Sequence, residues 1–185
     1  MKYIELFKDG FDETITEKIK PENMPYIGYS HSEGFMFTVV PKLQPNNEIW
    51  YTSSDGNIAS PKKTNVFGAS IVSNEYNDGQ GVITFDGPVT KIGSEAFYYC
   101  SSFTSITIPN SVTSIEYSAF RSCSSLTSVT IPNSVTKIGG MAFYRCSSLT
   151  SVTIPEGVTK IDMSAFRYCS SLTSVTIPKS MTYID

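Results

Sequence analysis

The second half of the chain says nearly the same thing every 23 residues. The stretch "CSSLTSVTIPNSVTKIGGMAFYR" runs from Cys123 to Arg145, and close copies run from Cys100 to Ser122 and from Cys146 to Arg167. Aligning Val89, Val112, Val135 and Val158 brings Ile92, Ile115, Ile138 and Ile161 into one column. The pairs Ala96-Phe97, Ala119-Phe120, Ala142-Phe143 and Ala165-Phe166 fall into another, giving four complete units. The register reaches upstream to Ile83–Phe85 and downstream to Met181–Ile184, where a fifth unit begins. A fixed period of this length is the mark of a stacked repeat array, because one unit cannot bury its own apolar face. The six inward residues of a unit do not offset the conformational entropy lost when its whole length is ordered. Stacking removes the difficulty by setting each apolar column against its copy in the next coil, so that stability becomes a sum of nearest-neighbour terms.

Within a unit, Leu126, Val129 and Ile131 are spaced so that Val129 and Ile131 alternate with Ser128 and Thr130, as in a half-buried strand. Pro132 ends that strand because it has no N–H for a ladder. "VTKI" supplies a second short extended piece with Val135 and Ile138 pointing inward. "GGMAFYRC" has room only for a short helical turn before the chain enters the next coil.

The pattern Leu-x-x-Val-x-Ile-Pro-x-x-Val-x-x-Ile-x-x-x-Ala-Phe-x-x-Cys resembles the BspA-type leucine-rich repeat of bacterial and protist surface proteins. The likeness covers Ile83 to Asp185, a little over half the chain. It implies a mainly β leucine-rich-repeat solenoid, right-handed, with one parallel strand per coil on one face. It also implies an adhesion or protein-interaction role rather than catalysis, and a secreted or cell-surface location.

Three segments are expected. Residues 1–44, with Pro21, Pro25, Pro41 and the strand-like Gly34–Val40, form an irregular or extended piece, and residues 45–87 form a small β cap over the first coil. Residues 88–185 hold four repeats and part of a fifth. In the cap, "NEIWYTSSDGNIAS" reads as a strand, an Asp55-Gly56 turn and a return strand, and "ASIVSNEYNDGQGVITF" as a hairpin around Asn77-Asp78-Gly79.

Charge narrows the function classes. Of the net −3, residues 1–85 carry 11 acids against 7 bases and residues 86–185 carry 6 against 7. Without a basic stripe, counterion release gives nucleic-acid binding little support. The first twenty residues alternate charge with hydrophobe and lack the apolar stretch of a secretory signal. No segment approaches the ~20 apolar residues that span a bilayer. A soluble chain is therefore expected, either cytosolic or lacking an export signal removed in cloning, at odds with the surface location the resemblance implies.

Candidate chemistry is sparse. Cys100, Cys123, Cys146 and Cys169 recur at 23 residues, without the paired spacing of a zinc site. They read as a ladder of buried reduced thiols, since cysteine packs as a small hydrophobe. A disulfide between neighbouring coils or a metal site are the alternatives. His31 is the only histidine; it is flanked by Ser30 and Ser32 in a loop-like stretch, and Glu33, Asp55 and Asp78 have no spacing that pairs them. No catalytic residue, metal site or cofactor is expected.

The outward positions remain for a partner. Ser105, Ser128, Ser151 and Ser174 form one hydroxyl column on the sheet face, and Thr107, Thr130, Thr153 and Thr176 form another. Such a face suits a protein partner, a glycan or a crystalline surface such as ice, or reflects only β propensity copied by duplication. Beside Ala-Phe, Tyr98-Tyr99, Arg121, Tyr144-Arg145 and Arg167-Tyr168 form an exposed column of the residue types enriched at interface hot spots. Candidate partner-binding residues are Tyr98, Arg121, Tyr144, Arg145, Arg167 and Tyr168 with Ser128, Thr130, Ser151 and Thr153. A repeat array that stops mid-unit leaves apolar columns open, which predicts end-to-end self-association through Leu172, Val175, Ile177 and Ile184. The leading expectation is a non-enzymatic module for a protein or glycan; a structural spacer and an enzyme with its site near His31 are the competitors.

Overall fold

The computed structural model describes residues 44–184. Apart from Gln44, the expected N-terminal segment lies outside the described residues, and with it His31, Glu33 and the strand-like Gly34–Val40.

Each coil contributes two short extended pieces. The first series is β5 (Phe103–Thr107), β7 (Ser128–Thr130), β9 (Ser151–Thr153) and β11 (Ser174–Thr176). The second series consists of two-residue strands: β4 (Lys91–Ile92), β6 (Ser114–Ile115), β8 (Lys137–Ile138), β10 (Lys160–Ile161) and β12 (Tyr183–Ile184). Pairing is parallel and in register with the repeat: Ser105 faces Ser128, Val152 faces Val175, and Ile92, Ile115, Ile138, Ile161 and Ile184 form one continuous row. The second series forms an unbroken five-stranded sheet, whereas in the first the ladder lapses between β7 and β9 although the strands remain neighbours.

The interior follows from the apolar columns. Val89, Val112, Val135 and Val158 are buried, as are Ile92, Ile115, Ile138 and Ile161. Phe97, Phe120, Phe143 and Phe166 stack almost parallel at centroid separations of 5.3, 5.1 and 5.3 Å. Those separations measure the rise per coil and sit near the spacing between paired strands. Thr104, Thr127, Thr150 and Thr173 form a second buttress, because Thr127, Thr150 and Thr173 each donate the side-chain hydroxyl to the carbonyl one coil before, at 2.8, 3.3 and 3.2 Å.

The expected short helical turns are absent. The segment from Gly139 to Cys146 is a run of overlapping turns in which amides alternate between two destinations. Ala142, Tyr144 and Cys146 donate to carbonyls three residues back, while Met141, Phe143 and Arg145 donate to Met163, Ala165 and Arg167 of the next coil. Helical hydrogen bonds would run only within the segment and leave the coils unpaired here. The alternation requires left-handed backbone at Met141 (φ 56°) and Arg145 (φ 60°), and it recurs at Glu95 and Tyr99, Ser118 and Ser122, and Ser164 and Tyr168. Each such residue costs about 1–2 kcal/mol relative to a right-handed conformation, so the inter-coil bonds must offset it.

Ahead of the coils, β1 (Glu48–Ser53), β2 (Ile71–Asn77) and β3 (Gln80–Phe85) form an antiparallel sheet with β3 in the middle, and β1 also pairs antiparallel with β5. Sheet order β2-β3-β1-β5-β7 makes these three strands a continuation of the first sheet. The β2–β3 hairpin turns at Asp78 and Gly79, both at positive φ as a tight type I′ turn demands. The expected return strand after Asp55-Gly56 does not form. Both edges of β1 are already taken by β3 and β5, so the chain instead crosses as a loop. It is pinned where the Ala59 amide donates to the Tyr51 hydroxyl at 3.2 Å and Asn74 Nδ2 donates to the Ala59 carbonyl at 3.2 Å. Tyr51 completes this network by donating to Asn74 Oδ1 at 2.8 Å; burial raises its phenol pKa above the ordinary value.

Candidate functional site

The turn edge of the coils carries a ridge of aromatic and cationic side chains. Positions 98, 121, 144 and 167 stack one coil apart and alternate Tyr, Arg, Tyr, Arg. Arg121 lies between two rings, its guanidinium carbon 5.5 Å from the Tyr98 centroid and 5.0 Å from that of Tyr144. Arg145 sits 5.5 Å from Tyr144 and 5.7 Å from Tyr168, and Arg167 sits 4.9 Å from Tyr168. Separations under about 6 Å give attraction between a cation and the ring face. The rings also meet edge-on, Tyr98 against Tyr99 at 4.4 Å and Tyr144 against Tyr168 at 5.2 Å.

The ridge is not uniformly exposed as its column suggests. Arg145, Arg167 and Tyr168 are exposed, but Tyr98, Arg121 and Tyr144 are half-buried because each is flanked on the axis by the next large side chain. Arg121 Nε is buried without a hydrogen-bond partner among the described residues, and one terminal nitrogen donates weakly to Met141 Sδ at 3.8 Å. Ring stacking, not hydrogen bonding, holds this guanidinium.

The hydroxyl face divides into used and unused groups. On β5, Ser105 shares a 2.7 Å hydrogen bond with Thr52 of β1, so β1 occupies the first rung. Ser128, Thr130, Ser151, Thr153, Ser174 and Thr176 are exposed, and among the described residues their hydroxyls have no protein partner. They differ in this from the buttressing threonines one column away.

The cysteines are free thiols, half-buried at Cys100 and buried at Cys123, Cys146 and Cys169. The Cys123, Cys146 and Cys169 thiols each donate to the carbonyl of the phenylalanine in the preceding coil, to Phe97, Phe120 and Phe143 at 3.1 Å, while Cys100 donates to the Ser60 carbonyl at 3.3 Å. Burial pushes all four pKa values up, to about 11 for Cys100 and Cys169 and higher for Cys123 and Cys146. Raised values keep these thiols protonated and therefore poor nucleophiles and ligands. Among the described residues no three His, Cys, Asp or Glu side chains gather as a metal site, and no helix is long and apolar enough to cross a membrane. An open depression lined by Thr64, Asn65, Gly68, Ala69, Ser70 and Ile71 contains no titratable side chain.

The family profile described as BspA type leucine rich repeat region matches residues 80–185 in six copies. The chain belongs to the BspA-type leucine-rich repeat family. Solved structures similar to it include a leucine-rich repeat protein from Bacteroides capillosus, 31% identical over 72% of this chain and 96% of that one, with a TM-score of 0.47. A T. pallidum leucine-rich repeat protein is 30% identical over 51% of this chain and 56% of its own length, with a TM-score of 0.43. A leucine-rich cell surface protein from Faecalibacterium prausnitzii is 36% identical over 60% of this chain and 36% of that one, with a TM-score of 0.40. The chain thus spans about half the length of the T. pallidum relative. No curated protein matches the sequence. Proteins built on these solenoid repeats are typically non-enzymatic, and the family is consistent with an interaction or surface module.

Within the BspA-type coils the candidate residues fall into three separate places. Tyr98, Arg121, Tyr144, Arg145, Arg167 and Tyr168 come together on the ridge. Ser128, Thr130, Ser151 and Thr153 lie on the first sheet, a different face. Leu172 is half-buried against the core, while Val175, Ile177 and Ile184 are exposed at 40%, 53% and 55%. Column reading missed Tyr117, Met141 and Met163. The Tyr117 hydroxyl donates to Met141 Sδ at 3.5 Å, and Tyr117 and Met163 are exposed large side chains on the same turns. Their columns read Ser94, Tyr117, Gly140, Met163 and Glu95, Ser118, Met141, Ser164, so the available signal was variation where core columns are constant.

Proposed function

We propose that this chain is a non-enzymatic interaction module of the adhesion type, engaging a protein or glycan partner through the outer surface of its solenoid. One observation carries the reading. The buried valine, isoleucine and Ala-Phe columns repeat unchanged from coil to coil, whereas the ridge alternates Tyr and Arg in stacked, partly exposed pairs that the core does not require. Tyrosine and arginine combine a large contact area with polar ends, and stacking lowers the entropy lost when a partner immobilises them. The test is binding of the full chain to arrayed matrix proteins and glycans, with Tyr144→Ala/Arg145→Ala as the variant. Loss of binding in the variant supports the ridge; binding that survives unchanged removes it and leaves the hydroxyl face.

A further inference from the structure

Among the described residues the ridge arginines have no paired carboxylate, whereas four of the lysines do. Lys63, Lys91, Lys137 and Lys160 each pair with a carboxylate, on Glu95, Glu116, Asp162 and Asp162 respectively. Arg121, Arg145 and Arg167 form no ion pair among the described residues. Glu95, which acts electrostatically on Tyr98, is engaged by Lys63 at 2.8 Å.

We propose that the ridge binds an anionic glycan, with the three guanidiniums receiving its carboxylate or sulfate groups. This deepens the module reading and rests on it. Guanidinium is a planar fork suited to two-point recognition of such groups, and the flanking tyrosine rings hold it ready. The three guanidiniums lie on successive coils, Arg121 and Arg167 in one column and Arg145 in the next, and each coil adds the 5.1–5.3 Å rise that the phenylalanine stack measures. That rise is comparable to the length of one sugar unit in an extended glycan. In an extended peptide, side chains on one face recur about every 6.6 Å and drift out of step with the coils.

The backbone also disfavours a peptide. Strand addition needs free amides, yet the amides of Phe120, Ser122, Phe143 and Arg145 already donate to carbonyls of the next coil. Recognition is therefore left to side chains, charged forks for the anions and phenol edges for the hydroxyl-bearing ring. The exposed rings of Tyr99 and Tyr168 are placed for the second role.

The experiment measures binding of the full chain to immobilised heparin, polygalacturonate, neutral dextran and poly-L-glutamate across a salt series. Arg145→Gln/Arg167→Gln removes two exposed charges from the ridge, and Lys137→Gln/Lys160→Gln removes the same charge from the second sheet. Matching circular dichroism establishes that both variants fold. Binding to heparin or polygalacturonate but not dextran is expected. It should weaken about tenfold or more in the arginine variant, with a shallower salt dependence, and change little in the lysine variant. Failure to bind either acidic glycan, stronger binding to polyglutamate, or equal losses in the two variants overturns the proposal. Ridge-dependent binding to a neutral glycan or a protein would remove the anionic-glycan inference while leaving the module reading intact. The absence of any partner would remove both.

Discussion

The phenylalanine stack offers the sharpest test of how the coils hold one another. Phe143 is fully buried and is covered on both faces, by Phe120 at 5.1 Å and 7° and by Phe166 at 5.3 Å and 4°. Truncating a buried phenylalanine costs about 3–5 kcal/mol through lost transfer energy and the cavity left behind. Loss of two ring pairs, each worth about 0.5–1.5 kcal/mol beyond area, places Phe143→Ala at the upper end, about 5 kcal/mol. Phe166 has one stacked neighbour and is only half-buried, so Phe166→Ala should cost roughly half as much. Phe143→Leu keeps most of the volume and isolates the ring contribution, at about 1–2 kcal/mol. The assay is urea unfolding of the full chain, followed by circular dichroism for all coils and by fluorescence of Trp50, the single tryptophan, for β1. Nearest-neighbour stability also predicts that hydrogen exchange in Phe143→Ala rises most in the coils of Phe120 and Phe166. Equal costs for Phe143→Ala and Phe166→Ala, or exchange that rises uniformly, would refute the stacking argument.

Two further perturbations probe the coil packing. A Cβ at Gly139 would lie 2.7 Å from the Glu116 carbonyl carbon and 2.8 Å from the Tyr117 amide nitrogen, so Gly139→Ala should cost about 1–3 kcal/mol in denaturant unfolding. At Gly140 the nearest atom would be 3.4 Å away, and equal costs for Gly140→Ala and Gly139→Ala would discount the clash. The thiol ladder sets a pH dependence. Burial raises Cys100 and Cys169 to about 11, above the 9.0 of a free thiol, so the unfolded chain loses these protons first. Their contribution is fully present below pH 9 and is lost as pH rises toward 11. Unfolding free energy should therefore fall across that interval more steeply in the native chain than in Cys100→Ala/Cys169→Ala, and superimposable pH slopes would contradict the assignment.

Much of the solenoid was legible because its repeat is exact at the positions that matter. Val135, Ile138 and Phe143 recur unchanged in every complete unit, and such constancy within one chain has a direct physical meaning: each side chain meets its own copy. The misread pieces share a different cause. The segment after Asp55-Gly56 has strand-like composition, but whether it pairs depends on a free edge, and β5 of the first coil occupies the one it would need. Gly139–Cys146 has the length of a helical turn, but its amides bond to the next coil, 22 residues on, and force Met141 and Arg145 into the left-handed region.

The candidate site divides the same way. By itself the sequence determined the period, the inward columns and the presence of Tyr and Arg at one position in successive units. These follow from local alternation and from repetition, which a linear chain records completely. Only the tertiary structure decided which hydroxyls remain unused among the described residues, that Arg121 is half-buried between Tyr98 and Tyr144, and that Arg121, Arg145 and Arg167 have no ion pair among those residues. Those properties depend on distances between side chains more than twenty residues apart. They are fixed by the rise and offset of the coils, a quantity set by packing and by inter-coil hydrogen bonds rather than by any single unit.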